Sequence, residues 1–392
     1  METPDIIEFT QGGGGNPACS KGFKPLAKGR FLNVDFLRFL FAVVIVVFHF
    51  CHAGKWCFGQ MFSYIKSVRH FSSATASGNL AVDFFFIISG FFLLYTFNNS
   101  SGVYDFMKKK IIRLWPMVAA FAGIETIYHY FVHHTPDYIP YNQILRILMI
   151  DNIGLNTVHS GITWYVSVLF WISLLFFYII KNFSKKIVDL IVPVSVVICY
   201  AFLIHIFKGN VTGHTDTRYF ILNAGVMRGI AGIGTGYLIY NFLNTVKPYV
   251  STLKKFLCYT AAEGLLLFFV VNNVLFHKIK YNSNFVIIVG FVWLFILFLL
   301  KRGAISRILD NKFSAILGRY SYSIFIVHIF VLNAFRVYLW KPYPKFVEAH
   351  LFLNIIVPVI CAVLAGIAAY HLIEVPAGKY LKQKFFPQKT QS

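Results

Sequence analysis

The sequence predicts an all-α protein: a polytopic transmembrane bundle of about ten spanning helices, with both termini in the cytoplasm. Three observations lead there. Hydrophobic residues make up 57% of the 392 positions and charged residues only 13%, with a mean hydropathy of +0.65. A soluble domain carries about a quarter charged residues, so this much apolar side chain calls for lipid as solvent. Apolar runs of the length that crosses a hydrocarbon core, about 20 residues, recur along the chain. The lysines and arginines fall between those runs and favour alternate loops.

Ten runs satisfy the length criterion. The first, 34–53, follows a polar, Gly-rich stretch that lacks the apolar core and small-residue cleavage site of a signal peptide. The second, 79–97, holds the central Ser89-Gly90 pair, small enough for close helix contact. The third, 115–134, begins at Trp115-Pro116 after a basic run. The fourth and fifth, 163–181 and 187–207, are separated by Lys181, Lys185 and Lys186. The sixth, 220–243, is glycine-rich; the seventh and eighth, 256–276 and 284–301, and the ninth and tenth, 318–338 and 352–373, complete the set. Residues 141–150 are too short to span and read as an interfacial helix. With the N-terminus inside, cytoplasmic segments hold 23 of the 36 Lys and Arg, outer segments 11, and Arg38 and Arg228 lie within spans. That two-to-one bias predicts an N-in, C-in topology. The expected organisation is a flexible cytoplasmic tail over 1–30, a membrane domain over 31–376 and a basic cytoplasmic tail over 377–392.

The formal net charge of +21 reflects these topology signals. No continuous basic stripe exists, which argues against nucleic acid as a partner. The six cysteines are scattered and imply no disulfide framework; only Cys51 and Cys57 are close enough in sequence to pair.

Charge inside a span is costly and marks a protein interior or a water-filled cavity. The candidates are Asp35, Arg38, Asp83, Glu125, Arg228, Glu263 and Glu374, with His49 and His328 as polar companions. In the first helix Asp35 and Arg38 are three apart and can pair on one face. The eleven residues from Arg38 to His49 turn about 1100° and rise about 16 Å, which returns His49 to that face at the opposite leaflet. Spacing alone leans to the plainer reading, an arginine snorkelling to lipid phosphate and an interfacial histidine. Asp83 opens the second helix where the first finishes, so it could approach His49 and raise its basicity as a general base; otherwise it caps its own helix. Lys110 and Arg113 share a face and offer donors suited to phosphate, beside their plainer role as topology signals.

Other patterns are weaker. His49, Cys51, His52 and Cys57 match no common zinc spacing, and no metal is expected. His129, His133 and His134 read as an interfacial cluster. Gly229, Gly232, Gly234 and Gly236 lie within a span with no preceding strand, so helix packing explains them better than a dinucleotide loop. Arg228, an intramembrane charge, is expected to line the acceptor or donor cavity, with Glu263 as a possible partner.

Taken in order, five segments resemble the acyltransferase-3 family of membrane acyltransferases. FLNVDFLRFLFAVVIVVFHF is similar to its first helix through Asp35, Arg38 and His49. AVDFFFIISGFFL is similar to its second-helix motif through Asp83, Ser89 and Gly90. KKKIIRLWP resembles its basic segment through Lys110, Arg113 and Pro116, and GRYSYSIFIVH its ninth helix through Ser321, Tyr322 and His328. HLIEVP resembles its closing motif through Glu374 and Pro376. Two positions depart from the family: Lys110 replaces an arginine, and after Trp164 the chain reads Tyr165-Val166-Ser167, with Leu169 where many members have glutamate.

The resemblance implies ten spans, acyl-CoA (acetyl-CoA first) as the donor substrate with no permanently bound cofactor, and a carbohydrate or glycolipid acceptor of the cell envelope. It implies His49 as catalytic base, Arg38 as its essential support, and Lys110 and Arg113 as the acyl-CoA site, in a bacterial inner or plasma membrane. Asp83 is added as a catalytic candidate, and Asp35, Ser89, Trp164, Arg228, Glu263, Ser321, His328 and Glu374 as cavity residues. The rival reading is a transporter or flippase for a glycan or small solute, which ten spans and buried charges also fit.

Overall fold

The structure, a computed structural model, describes residues 31–57, 77–97, 100–131, 140–151, 153, 161–212, 218–219, 222–246, 252–276, 283–350 and 352–387. Residues 1–30, the predicted tail, lie outside the described residues. Helices dominate: α1 (Leu32–Cys57), α2 (Ala81–Tyr95), α3 (Val103–Phe131), α4 (Pro140–Ile147), α5 (Thr163–Asn182) and α6 (Lys185–Ile206). After them come α7 (Ala224–Thr245), α8 (Leu253–Phe276), α9 (Phe285–Leu300) and α10 (Ala304–Ile308). The chain closes with α11 (Lys312–Phe335), α12 (Pro344–Ala349), α13 (Leu353–Ala369) and α14 (Val375–Phe385). Among the described residues the one extended pairing is antiparallel, β1 (Arg218–Tyr219) with β2 (Leu222–Asn223).

Seven helical segments among the described residues are long and apolar enough to cross a membrane: Leu32–Cys51, Gly78–Tyr95, Thr163–Asn182, Lys185–Ile206, Leu253–Phe276, Lys312–Trp340 and Leu353–Phe385. Phe285–Leu300 is a shorter apolar helix. The remaining two predicted segments are helical as α3 and α7. Helix α3 starts well before its predicted span, because the basic run 108–113 continues the helix, with Pro116 inside it.

Burial separates an inner from an outer layer. Helices α2 and α5 are mostly buried; α6, α8 and α13 turn Leu190, Val197, Leu265, Phe268 and Leu364 outward. Wide apolar exposure of this kind is destabilising in water and suits contact with hydrocarbon. At the centre α2 crosses α7 at backbone distance. A Cβ at Gly90 would overlap the Ile233 carbonyl, and one at Gly236 would overlap the Ile87 carbonyl. The glycine-rich stretch of α7 therefore serves helix packing.

Helix α1 packs most extensively on α11. Gly318 of α11 lies against the backbone and Cβ of Asp35, and His328 lies beside His49. The two helices thus run parallel, and their N-termini share one end of the bundle. At that end Asp310 accepts from the backbone amides of Leu32 (2.9 Å) and Asn33 (3.4 Å), and its second oxygen pairs with Lys301 at 2.6 Å. A carboxylate on exposed helix-terminal amides satisfies orphan donors and complements the helix dipole.

The helix α13 passes through a π segment, Tyr370–Glu374, into α14. Residues 375–385, expected to belong largely to a tail, are helical. They lie against the start of α3, where Lys108 donates to the Phe385 carbonyl at 3.4 Å. At the opposite end, Glu125 of α3 pairs with Arg146 of α4. The Trp115 and Trp171 indoles donate to the Ile147 and Met149 carbonyls at 3.1 and 2.8 Å, and so fix the short helix α4 to its neighbours.

Candidate active site

The stripe predicted on α1 is present. Arg38 Nη1 lies 3.1 Å from Asp35 Oδ1, and both side chains keep partial access to solvent. Around this pair the fold assembles groups from five further segments. Arg113 of α3 is exposed and stands in the field of Arg38, Glu374, Tyr165 and Asp35. Tyr165 of α5 hydrogen-bonds Ser89 of α2 and feels both arginines. Tyr322 of α11 donates to the Leu114 carbonyl at 2.7 Å, which ties α11 to α3 beside Arg113. Ser323 hydrogen-bonds Glu374, which the π segment carries into the seam; π segments commonly mark such insertions. The result is a continuous polar seam of two guanidinium groups, two carboxylates, two phenols and two serines.

Higher on α1, His49 meets His328 of α11. His49 Nδ1 is 3.1 Å from His328 Nε2 and 3.1 Å from the Ile45 carbonyl. His328 Nδ1 is 2.6 Å from the Phe325 carbonyl. The rings are 4.9 Å apart, with Phe48 against His49 and Phe325 against His328. His328 is fully buried and His49 partly so. Phe325 also touches Tyr165 at 5.3 Å between centroids, so packed aromatic rings join the imidazole pair to the seam.

Not every predicted residue joins this arrangement. The Asp83 carboxylate does not meet His49. Both of its oxygens are held by Arg228, from Nε at 3.1 Å and Nη2 at 2.6 Å. Arg228 also donates to the Asn79 carbonyl at 3.1 Å and lies over the Trp164 ring at 5.1 Å. Asp83 and Arg228 face each other because α2 and α7 cross so closely; a buried cation takes the nearest carboxylate. Trp164 therefore packs on this ion pair, whereas its neighbour Tyr165 faces the seam. Nor is Glu263 the partner of Arg228. It accepts from the amides of Gly303 and Ser306, each at 3.0 Å, and from Ser306 Oγ at 2.5 Å, and so docks the α9–α11 connection onto α8. Ser321 bonds back to the Gly318 carbonyl at 2.8 Å within its own helix.

The basic run divides similarly. Lys108 goes to α14, Lys109 pairs with Asp105 at 3.0 Å, and Lys110 reaches Ser173 Oγ at 3.4 Å. Arg113 alone of the four has no hydrogen-bond partner among the described residues, although acidic groups surround it at longer range.

A separate network lies between α4 and α5. Asp151 accepts from Thr163 Oγ1 at 2.5 Å and from Ser167; burial nonetheless pushes its carboxyl above the ordinary carboxylate value. Among the described residues no group of three or more His, Cys, Asp or Glu could hold a metal ion. Among the described residues Cys199, Cys258 and Cys361 are free thiols. His133 and His134 lie outside the described residues, and of His52, Cys57 and His129 only the backbone is described.

The fold and seam define a multi-pass membrane protein whose interior joins cations, carboxylates and an imidazole pair. The chain belongs to the acyltransferase-3 family: that family's profile, described as an acyltransferase domain, matches residues 31–372, nearly the whole chain. It is accordingly a membrane acyltransferase. No curated protein and no solved structure matches it.

Proposed function

We propose that this protein transfers an acyl group, acetyl first among candidates, from acyl-CoA to a hydroxyl of a cell-envelope glycan, with His49 as general base. The observation that carries this reading is Arg113: an exposed guanidinium without a hydrogen-bond partner among the described residues, next to Arg38 of the helix that also bears His49. A planar fork of donors in such a place suits a phosphate-bearing ligand.

In this reading ten helices span the bilayer, with α3 and α7 added to the seven long apolar segments and α9. Both chain ends face the cytoplasm, and the Arg38–Arg113 end of the seam opens there, where acyl-CoA is made. Arg113, Lys110 and Arg38 hold the phosphate-bearing end of the donor, and its pantetheine arm carries the thioester along the bundle toward His49. His49 Nε2 removes the proton of the acceptor hydroxyl as that oxygen attacks the thioester carbonyl. The C–O bond forms, the C–S bond breaks, and the imidazolium returns its proton to the leaving CoA sulfur. General-base help of this kind contributes about 10²–10⁴-fold.

The test uses full-length protein in detergent, with acetyl-CoA as donor and water as surrogate acceptor. CoA release and thermal stabilisation by CoA are expected, the first lost in His49→Ala and the second weakened in Arg113→Ala. A transporter would show neither effect. Mass analysis of envelope glycans from cells with and without the protein then identifies the acceptor.

A further inference from the structure

We infer that His328 is the positioning residue that makes His49 a base, by holding its imidazole with hydrogen on Nδ1 and the lone pair on Nε2. The inference rests on the reading of His49 given above.

A carbonyl oxygen only accepts hydrogen bonds. The Phe325 carbonyl, 2.6 Å from His328 Nδ1, therefore fixes the hydrogen of His328 on that nitrogen. Nε2 of the neutral ring then bears a lone pair, and it points at His49 Nδ1 from 3.1 Å. The Ile45 carbonyl approaches the same nitrogen at 3.1 Å. His49 Nδ1 thus faces two acceptors at once and must carry the hydrogen. The alternative tautomer would set three lone pairs against one another. In a neutral imidazole with hydrogen on Nδ1, the basic atom is Nε2.

Orientation is fixed by the same contacts. His328 is fully buried, its ring is pinned to its own helix, and the parallel packing of α1 on α11 brings it to His49 as the Gly318–Asp35 contact sets the register. When Nε2 takes a proton, the His49 cation keeps its Nδ1–H bond to His328, so the charge forms with a strong acceptor already in place. A carboxylate usually fills this role in a base–orienter pair. Here the carboxylate expected in that role from the sequence, Asp83, is committed to Arg228, and an imidazole does the task without adding net charge to the membrane interior.

The experiment compares His328→Leu, His328→Met and His328→Gln in full-length protein, reading CoA release from acetyl-CoA alongside the melting temperature. Partners that orient a metal-bound histidine contribute about 10–100-fold, and the same scale is expected for a partner that orients a histidine base. The expected result is a kcat lowered about 10–100-fold in the Leu and Met variants, with KM for acetyl-CoA unchanged. Glutamine, whose side-chain carbonyl can accept from His49 Nδ1–H, should recover much of that loss. Wild-type kcat in His328→Leu or His328→Met, with His49→Ala inactive, overturns this inference and leaves the role of His49 standing. An active His49→Ala overturns the role of His49 itself. If the apolar variants do not fold, ¹⁵N resonances of the His49 ring in the wild-type protein decide: hydrogen on Nδ1 supports the inference, and hydrogen on Nε2 overturns it.

Discussion

Arg228 grips Asp83 through two hydrogen bonds, 3.1 Å from Nε and 2.6 Å from Nη2, and the two side chains are 2% and 1% exposed. The pair fastens α7 to α2 where the helices are separated by little more than glycine. Removing one partner of such a buried pair leaves an uncompensated charge and costs about 3–5 kcal/mol, whereas replacing both by apolar residues of similar volume is often neutral. Asp83→Leu and Arg228→Met should each lower the melting temperature in detergent, and the double variant should recover most of the loss. The folded fraction of Asp83→Leu should retain its kcat. A selective kcat loss at wild-type stability would instead return Asp83 to the chemistry.

Glu263 is a structural carboxylate by the same reasoning. It accepts three hydrogen bonds from Gly303 and Ser306, and Thr260, one turn earlier, accepts from the Ala304 amide at 2.9 Å. In Glu263→Ala two buried amides lose their acceptor, at about 1–3 kcal/mol each. The measurable result is a lower melting temperature together with faster proteolysis between 301 and 312. Glu263→Gln keeps acceptor oxygen and should fall between the two.

These two carboxylates show what could be read from the sequence and what could not. The rule that a charge inside a span needs a partner located Asp83, Arg228 and Glu263 as buried and engaged. It could not pair them, because pairing depends on which helices cross, and α2 meets α7 through contacts distant in sequence. The Asp35–Arg38 pair was legible because both ends sit on one helix, where a separation of three fixes the geometry. Tyr165 was overlooked in favour of Trp164: adjacent helix positions point about 100° apart, and only the packing of α5 decides which faces the seam. The start of α3 was missed because an amphipathic basic turn lacks the apolar signal of a span. The π segment that brings Glu374 to Ser323 has no signature in composition at all.

The close approach of α2 and α7 makes a sharp steric prediction. A methyl group at Gly236 would meet backbone atoms of Ile87, Phe91 and Gly90, which have no rotamer to change. Overpacking of this kind costs about 1–3 kcal/mol. Gly123 of α3, by contrast, has nothing within 4 Å of the added carbon, and alanine there should gain about 0.5–1 kcal/mol from helix propensity. Thermal unfolding in detergent should therefore move down for Gly236→Ala and up or not at all for Gly123→Ala. Equal effects would mean that the helices are not in backbone contact.

Arg113 carries the heaviest functional weight, and its variants separate charge from shape. Its guanidinium sits beside Arg38 with Glu374 and Asp35 nearby, so the seam offers a second arginine whose repulsion a bound anion would relieve. Charge-assisted hydrogen bonds contribute about 1.5–3 kcal/mol, equivalent to about 10–100-fold in affinity. Arg113→Ala should raise KM for acetyl-CoA by that factor, with a smaller effect on kcat if the residue binds donor phosphate and does not act in the chemical step. Arg113→Lys keeps the charge but loses the planar fork, and should recover only part of the affinity. Lys110→Arg tests the neighbouring position: with Ser173 as its present partner at 3.4 Å, the longer fork should tighten donor binding or leave it unchanged. A normal KM in Arg113→Ala, measured at low and high salt, would remove the donor from this end of the seam.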